Sequence, residues 1–257
     1  MTTPRSDQRR ADPAPRRLAL LCGVVAGLIL ASQIPSLLEA FGRPSVNGYG
    51  GVDYRLYLDA TRRWLDGGPF YQPYQIAGPY PITPGDILYP PVALWLFVPF
   101  TLLPAVLWWL VPLGVTAVVV WRLRPAAIAW PLIALCVAWP PTQVKIITGN
   151  PVIWAVAALA LGCVYRWPSV FVLIKPSLFP FALFGARHRS WWVALGVFAL
   201  ISLPFGAMWA DWLTTVVNAS GGGIVYSVQE VPMMLLPLVA WRWRRWPVEG
   251  EPRTDPR

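Results

Sequence analysis

The sequence of 257 residues contains few of the groups on which soluble enzymes depend. Charged side chains make up 13% of it, whereas a soluble domain carries about a quarter. It has a single histidine, and no Ser/His/Asp arrangement is apparent. It also lacks a Walker loop, a GxGxxG turn and an Asp-x-Asp pair that could hold a metal against a nucleotide diphosphate. These absences disfavour triad hydrolysis, ATP-driven chemistry and the use of nucleotide sugars.

Cysteine is scarce as well. Cys22, Cys136 and Cys163 all lie inside apolar runs, with no CxxC spacing and no histidine or carboxylate at ligand spacing. We therefore predict buried structural thiols, with neither a disulfide nor a metal site. The histidine, His188, lies between two arginines in a short basic turn, where we expect a surface residue.

What the sequence has in abundance is apolar residues, which make up 56% of it, together with 16 tryptophans and 29 prolines. This composition predicts an all-α, polytopic integral membrane protein with about eight transmembrane helices. Several runs are shorter than the about 20 residues needed to cross a bilayer squarely, and many contain proline, so we expect short or kinked spans. The predicted spans are 18–38, 91–103, 106–121, 126–139, 152–164, 170–184, 191–209 and 231–241.

The chain is predicted to form one multi-pass membrane domain, 18–241, between polar cytoplasmic tails at 1–17 and 242–257. The net charge of +9 comes from basic clusters at the ends of apolar runs. This distribution is typical of topology anchors and not of a nucleic-acid surface. The positive-inside rule predicts a plasma-membrane protein with a cytoplasmic N-terminus and an outer loop at 41–90.

Eight crossings assign every later loop to one side of the membrane. Lys145 then lies inside, and Asp211 and Glu230 are charges at the rim of the last outer loop. Arg122 and Arg124 fit this assignment worst, because they fall on the outer side. A re-entrant segment at 91–103 is the alternative, and it would invert everything that follows.

The outer loop contains a predicted amphipathic surface helix at 53–66. Leu56, Ala60 and Trp64 recur at four-residue spacing, and glycines follow the last turn. We expect the aromatic residues of this region, Tyr57 among them, to lie at the headgroup level of the membrane. Asp53 at the helix start has no basic partner at helical pairing distance. It is either a helix N-cap or a working carboxylate, and the two roles are compatible.

Several motifs follow one another in an order typical of one family. In this sequence they are Asp53-Tyr54-Arg55-Leu56-Tyr57-Leu58-Asp59-Ala60, Gly67-Gly68-Pro69-Phe70-Tyr71, Tyr89-Pro90-Pro91, Pro99 with Leu103-Pro104, Thr142-Gln143-Val144-Lys145 and Ile174-Lys175-Pro176. As an ordered set they resemble glycosyltransferase family 87. These are bacterial membrane mannosyltransferases of the C-type superfamily, which use polyprenyl-phosphate sugars. The resemblance extends roughly over 18–192.

The resemblance implies a glycosyltransferase that moves a sugar, mannose on the family's pattern, from a polyprenyl-phosphate donor to a lipid or polysaccharide acceptor at the outer membrane face. Asp53 is then the catalytic base of an inverting transfer. Lys175 is implied as the cation for the leaving phosphate, and Tyr57, Gln143 and Tyr89 as further substrate-binding residues. No cofactor is implied besides the donor, and the use of a divalent metal is left open.

The chain departs from the family in two respects. Members are commonly longer and have more spans, which implies a shortened relative, and Thr142 and Lys145 stand where the family has Gly and Asn. The alternative is a non-catalytic membrane protein that keeps the scaffold as a lipid-carrier binding or transport subunit. The predicted partners are membrane lipid and the polyprenyl-phosphate sugar, not nucleic acid, and a protein partner or homo-oligomer is left open.

Overall fold

The computed structural model describes residues 13–35, 38, 50–83, 85–220 and 225–245. Most of both predicted tails lies outside the described residues. The described α-helices are α1 (Pro13–Ser32), α2 (Val52–Leu65), α3 (Pro73–Ala77), α4 (Leu94–Phe100), α5 (Val106–Leu123), α6 (Trp130–Ala138), α7 (Pro140–Thr148), α8 (Val152–Tyr165), α9 (Phe179–Ala182), α10 (Arg189–Ser202), α11 (Gly206–Asn218), α12 (Val225–Val228) and α13 (Val231–Arg242).

Short 3₁₀ helices and one strand pair complete the described fold. The 3₁₀ helices are Pro91–Ala93, Ala127–Ala129, Trp167–Ile174, Pro176–Leu178, Leu183–Gly185 and Leu203–Phe205. The strands β1 (Tyr80–Pro81) and β2 (Ala219–Ser220) pair in parallel, with Tyr80 opposite Ala219. The protein is therefore mostly helical, as predicted.

Two described helical stretches, Val106–Leu123 and Arg189–Asn218, are long and apolar enough to cross a membrane. Ala127–Ala138 and Pro140–Thr148 would form a third if they are counted together, although they are bent by 59° relative to each other. By length and composition the described helices thus give two or three spans, and the eight that the apolar runs predicted are not shown. The shorter apolar helices are Arg17–Ser32, Pro91–Phe100, Val152–Tyr165, Pro176–Gly185 and Val231–Arg242.

The bend between α6 and α7 has a local cause. Trp139 precedes two prolines and has φ −59° and ψ 120°, an extended conformation. A residue before proline is pushed out of the helical region, and proline lacks the N–H that would continue the ladder. The helix predicted over 126–139 therefore ends before Trp139, and a new helix begins at Pro140.

The segment predicted as a single span at 170–184 reverses direction instead. Ser169 Oγ lies 3.1 Å from the carbonyl oxygen of Ala182. A Cβ atom on Gly185 would collide with the carbonyl oxygen of Arg166. The start and the end of the segment are therefore adjacent, and Lys175 lies near the turn between its two halves.

Arginines from several connections lie together at one end of the bundle. The backbone N–H of Ala126 donates to the carbonyl of Trp243 at 2.8 Å, and that of Arg245 donates to Leu123 at 3.1 Å. The Arg166 guanidinium lies 5.4 Å from the centre of the Trp241 ring. We call this the basic end; its arginines are Arg122, Arg124, Arg166, Arg187, Arg242, Arg244 and Arg245.

The opposite end, here the loop end, is covered by the predicted surface helix. The observed helix α2 matches the predicted bounds of 53–66 to within one residue. Tyr57 is only 5% exposed, and its ring packs 5.1 Å from that of Phe97. The aromatic face of α2 thus packs onto the bundle, and the position of Tyr57 at the headgroup level stays a prediction.

The junction between α7 and α8 is held against α5 by two indoles. Trp108 Nε1 donates to the carbonyl of Gly149 at 2.7 Å, and Trp109 Nε1 donates to that of Ile146 at 2.7 Å. Gly149 ends α7 with φ +70°, a left-handed conformation that glycine adopts without strain. The turn after α7 is thus fixed directly beneath α2.

We expect Gly149→Ala to lower the stability of the protein. The added Cβ would lie 2.5 Å from Trp109 Cζ2. The left-handed backbone costs alanine about 1–2 kcal/mol, and overpacking adds about 1–3 kcal/mol. Thermal unfolding in detergent should show a lower melting temperature than that of Gly196→Ala, where a Cβ meets no atom within 4 Å. Equal melting temperatures for the two variants would contradict the described turn.

Candidate functional site

Asp53 lies in the first turn of α2, at the loop end. The helix follows Gly51, which has φ 68° and donates its N–H to the carbonyl of Ile147 at 2.8 Å. The side chain of Asp53 is not the N-cap, because Gly51 holds that position without a side-chain cap. Its Oδ2 atom accepts hydrogen bonds from Thr148 Oγ1 at 2.9 Å and from Asn150 Nδ2 at 2.7 Å. The carboxylate is therefore oriented by the α7–α8 junction and not by its own helix.

Asn150 connects this carboxylate to the aromatic wall beside it. The side chain is 4% exposed, and its Oδ1 atom accepts from Tyr89 OH and from the backbone N–H of Val152, each at 3.1 Å. The Tyr89 ring in turn meets Tyr57 edge to face at 5.0 Å. Both Oδ1 and Nδ2 of Asn150 thus form hydrogen bonds, and this fixes the position of Asp53 Oδ2.

Lys175 is held by a buried acid on a distant segment. Its Nζ atom forms an ion pair with Glu230 Oε1, and Lys145 Nζ lies 3.6 Å from the same oxygen. Glu230 is 1% exposed. The prediction that it is a rim charge is wrong, because a carboxylate buried this deeply needs positive partners.

The position of Lys145 in the bundle differs from the one that eight crossings predict. Eight crossings place it across the membrane from Asp53, whereas Thr148, one turn further along α7, donates to the Asp53 carboxylate. Lys145 and Lys175 meet at one carboxylate. Both lysines therefore belong to the Asp53 side of the bundle.

Asp53 and Lys175 face one cavity of about 410 Å³. The predicted residues Tyr57 and Tyr89 also line it, as do Asn150 and Trp212. Its walls combine two carboxylates, Asp53 and Asp86, with one ammonium group and several aromatic rings. Its volume lies within the range of ordinary small-ligand sites. The pairing of Asp53 with Lys175 that the resemblance implies is thus matched by a shared space.

The outer wall of the cavity is a segment of the first loop that is tied to the last one. Strand β1 pairs with β2, and Trp212 Nε1 donates to the carbonyl of Leu88 at 3.0 Å. Asp86 Oδ2 accepts the backbone N–H of Thr83 at 2.6 Å, and Asp86 Oδ1 accepts from Tyr74 OH. That hydrogen bond, together with burial, raises the pKa of Tyr74 to about 12.

Gln143, the remaining predicted substrate-binding residue, lies outside this cavity. Its Oε1 atom accepts from Gln33 Nε2 at 2.9 Å, and its Nε2 atom donates to the carbonyl of Ala138 at 3.1 Å. These bonds join α7 to the end of α1 and to the bend at α6. The structure therefore brings four of the five predicted residues together and leaves Gln143 apart.

Thr148, Asn150 and Glu230 were missed by sequence reasoning. A local signal was present for Asn150, because a glycine followed by asparagine between two apolar runs is typical of a helix end and the cap of the next helix. Glu230 gave no such signal. Its pairing with Lys175 spans 55 residues and becomes visible only in the fold.

The described residues also bear on metal binding. Among them, no group of three or more His, Cys, Asp or Glu side chains is placed to hold a metal ion. What the cavity does offer is one oriented carboxylate opposite a lysine whose positive charge is shared with a buried acid. Such an arrangement can accept a proton on one side and bind an anion on the other.

Comparison of the chain with models of known protein families, with curated proteins and with solved structures finds no match. Its resemblance to glycosyltransferase family 87 therefore rests on the ordered motifs alone. Of the implied residues, Asp53, Tyr89 and Lys175 meet at one cavity.

We expect Glu230→Gln to destabilise the protein strongly, because it leaves two neighbouring lysines without their shared carboxylate. Breaking a buried ion pair costs about 3–5 kcal/mol. The matched control is Asp211→Asn, since Asp211 is partly exposed. Thermal unfolding should show a large loss for the first variant and a small one for the second.

A double variant tests whether the ion pair between Lys175 and Glu230 itself stabilises the protein. Lys175→Met combined with Glu230→Gln removes both members of the pair and should recover part of the lost stability. If the two single effects simply add, the close contact between these side chains contributes nothing.

Proposed function

We propose that this chain is a membrane glycosyltransferase that takes a sugar from a polyprenyl-phosphate donor and transfers it to a hydroxyl of a lipid or polysaccharide acceptor. The observation that carries the proposal is the shared cavity of Asp53 and Lys175. Mannose as the sugar comes from the resemblance alone. The negative charge of the donor phosphate matches Lys175, and the hydroxyl of the acceptor matches Asp53.

Asp53 is proposed to act as the general base. Both of its hydrogen bonds within the described chain go to Oδ2, so Oδ1 is the atom that would receive the proton of the acceptor hydroxyl. As that proton moves to Asp53, the acceptor oxygen bonds to the anomeric carbon of the sugar. The bond from this carbon to the phosphate oxygen breaks, and its electron pair leaves with the phosphate.

Lys175 is proposed to bind that phosphate. Lys175 and Lys145 share Glu230, which leaves one net positive charge for three ionised groups. An arriving phosphate would bind the Lys175 ammonium group in place of Glu230, which would keep its ion pair with Lys145. The preformed ammonium group would then stabilise the negative charge that develops on the leaving oxygen.

We further propose a plasma-membrane topology with six crossings and a cytoplasmic N-terminus. The crossing units would be α1, α5, α6 with α7, α8, α10 with α11, and α13. The segments 91–103 and 167–185 would be re-entrant. Support comes from the contacts of Trp108 and Trp109 at the loop end, of Ser169 with Ala182, and of Arg245 with Leu123 at the basic end.

This arrangement removes the misfit of the eight-span assignment. Arg122 and Arg124 come to lie on the cytoplasmic side together with the other arginines of the basic end. Asp53 lies on the outer side, where polyprenyl-phosphate sugars of this family are used.

A second candidate function is a non-catalytic subunit that binds a lipid carrier. The observation that favours it is the ion pair of Lys175 with Glu230, because a lysine that is already neutralised binds phosphate less strongly. The two functions differ in whether loss of the Asp53 carboxylate abolishes sugar transfer or leaves only binding to be measured.

We expect Asp53→Asn to lower sugar transfer by about 10²–10⁴-fold, the usual contribution of a general base. The assay uses purified protein in liposomes with polyprenyl-phosphate mannose and the endogenous acceptor lipids. Asp59→Asn is the matched control, since Asp59 lies on the same helix and pairs with Arg62 at the surface. Equal transfer by Asp53→Asn and wild type would overturn the role of Asp53, and transfer by neither would favour the carrier-binding subunit.

Cysteine labelling tests the topology. In a variant without its native cysteines, Asp59→Cys should react with a membrane-impermeant maleimide in intact cells. Arg122→Cys should react only after permeabilisation. The eight-span assignment gives the opposite result for Arg122, so labelling of that position in intact cells would refute the six-crossing topology.

A further inference from the structure

A second cavity, of about 820 Å³, lies between α1, α5, α6, α7, α8 and α13. It is separate from the Asp53 cavity, which has none of the same lining residues. Its walls are almost entirely apolar, with Leu113, Val120, Ile133 and Leu236 among them. We call it the lipid cavity, for the reasons that follow.

One wall of the lipid cavity is a bare face of α1. Gly23, Ala26, Gly27 and Leu30 line it, a spacing that places them on one side of the helix. A Cβ atom on Gly23 or on Gly27 would meet no heavy atom within 4 Å. At these two glycines the backbone of α1 is therefore not packed against another described helix, whereas Ala26 between them is buried. The space beside the glycines could hold a hydrocarbon chain.

The charges of the lipid cavity lie at one end only. Arg124 and Arg245 line it, and both are exposed. The loops that carry them are joined by backbone hydrogen bonds from Ala126 to Trp243 and from Arg245 to Leu123. The fold therefore presents two guanidinium groups together at the mouth of an apolar space.

We infer that the lipid cavity binds an anionic phospholipid of the leaflet that meets the basic end, with an acyl chain inside and the phosphate at Arg124 and Arg245. A guanidinium group is well suited to phosphate, with which it forms paired hydrogen bonds. An acyl chain matches the apolar walls and the bare face of α1. Basic pockets between membrane helices are typical sites for anionic headgroups.

Two other occupants fit less well. The C-terminal residues 246–257 include Glu249, Glu251 and Asp255, which suit the arginines but cannot fill an apolar space. A polyprenyl phosphate would suit both features. Its phosphate, however, is proposed to lie beside Lys175, at the other end of the bundle.

Native mass spectrometry of the purified, delipidated protein tests the inference with three probes: dioleoyl-phosphatidylglycerol, dioleoyl-phosphatidylcholine and undecaprenyl phosphate. We expect phosphatidylglycerol to bind more tightly than phosphatidylcholine. Replacement of Arg124 and Arg245 by Gln should weaken phosphatidylglycerol binding by about fivefold per arginine. Gly27→Leu should weaken the binding of both phospholipids, because it fills the cavity without changing its charge.

The matched control replaces Arg187 and Arg189 by Gln, which removes the same charge from exposed positions outside the cavity. Equal loss in the control and the test variant, or equal affinity for the two phospholipids, would overturn the inference. Displacement of phosphatidylglycerol by undecaprenyl phosphate would assign the cavity to the donor instead. The same measurements on Asp53→Asn should be unchanged, so a failure of the proposed transferase activity is distinguishable from a failure of lipid binding.

Discussion

The hydrogen bonds from Thr148 and Asn150 to the Asp53 carboxylate are the interaction on which the site depends. They join a surface helix to the junction of two bundle helices, which lie about one hundred residues away in sequence. Asn150 also accepts a hydrogen bond from Tyr89 OH, which links the position of Asp53 to the aromatic wall of the cavity. Both partners are neutral donors, and both bind Oδ2 of the carboxylate, so Oδ1 is the oxygen left for a substrate within the described site.

The distribution of charge along the bundle gives the two ends different properties. At the loop end, acids and lysines are buried or partly buried around one cavity, and Glu230 balances two lysines. At the basic end, arginines are grouped by contacts between loops. This difference is consistent with the two proposals, a sugar donor bound at the loop end and an anionic headgroup bound at the basic end.

Local sequence signals predicted a good part of this arrangement. The spacing of Leu56, Ala60 and Trp64 gave α2 to within one residue, and an ionisable residue inside an apolar run drew attention to Lys175. Contacts between residues far apart in the sequence could not be predicted from such local signals. Contacts between distant segments determine the partner of Lys175, the donors to Asp53 and the reversal between Ser169 and Ala182. The length of the apolar run alone predicted a single crossing in place of that reversal.

The most direct test of the shared site is an experimental structure of the protein with a non-cleavable polyprenyl-phosphonate sugar. The account predicts density for the phosphonate beside Lys175, with Glu230 displaced, and the sugar ring between Tyr57 and Tyr89 with its anomeric carbon open toward Asp53. Phosphonate density elsewhere in the bundle, with Asp53 separated from the sugar by protein, would contradict it.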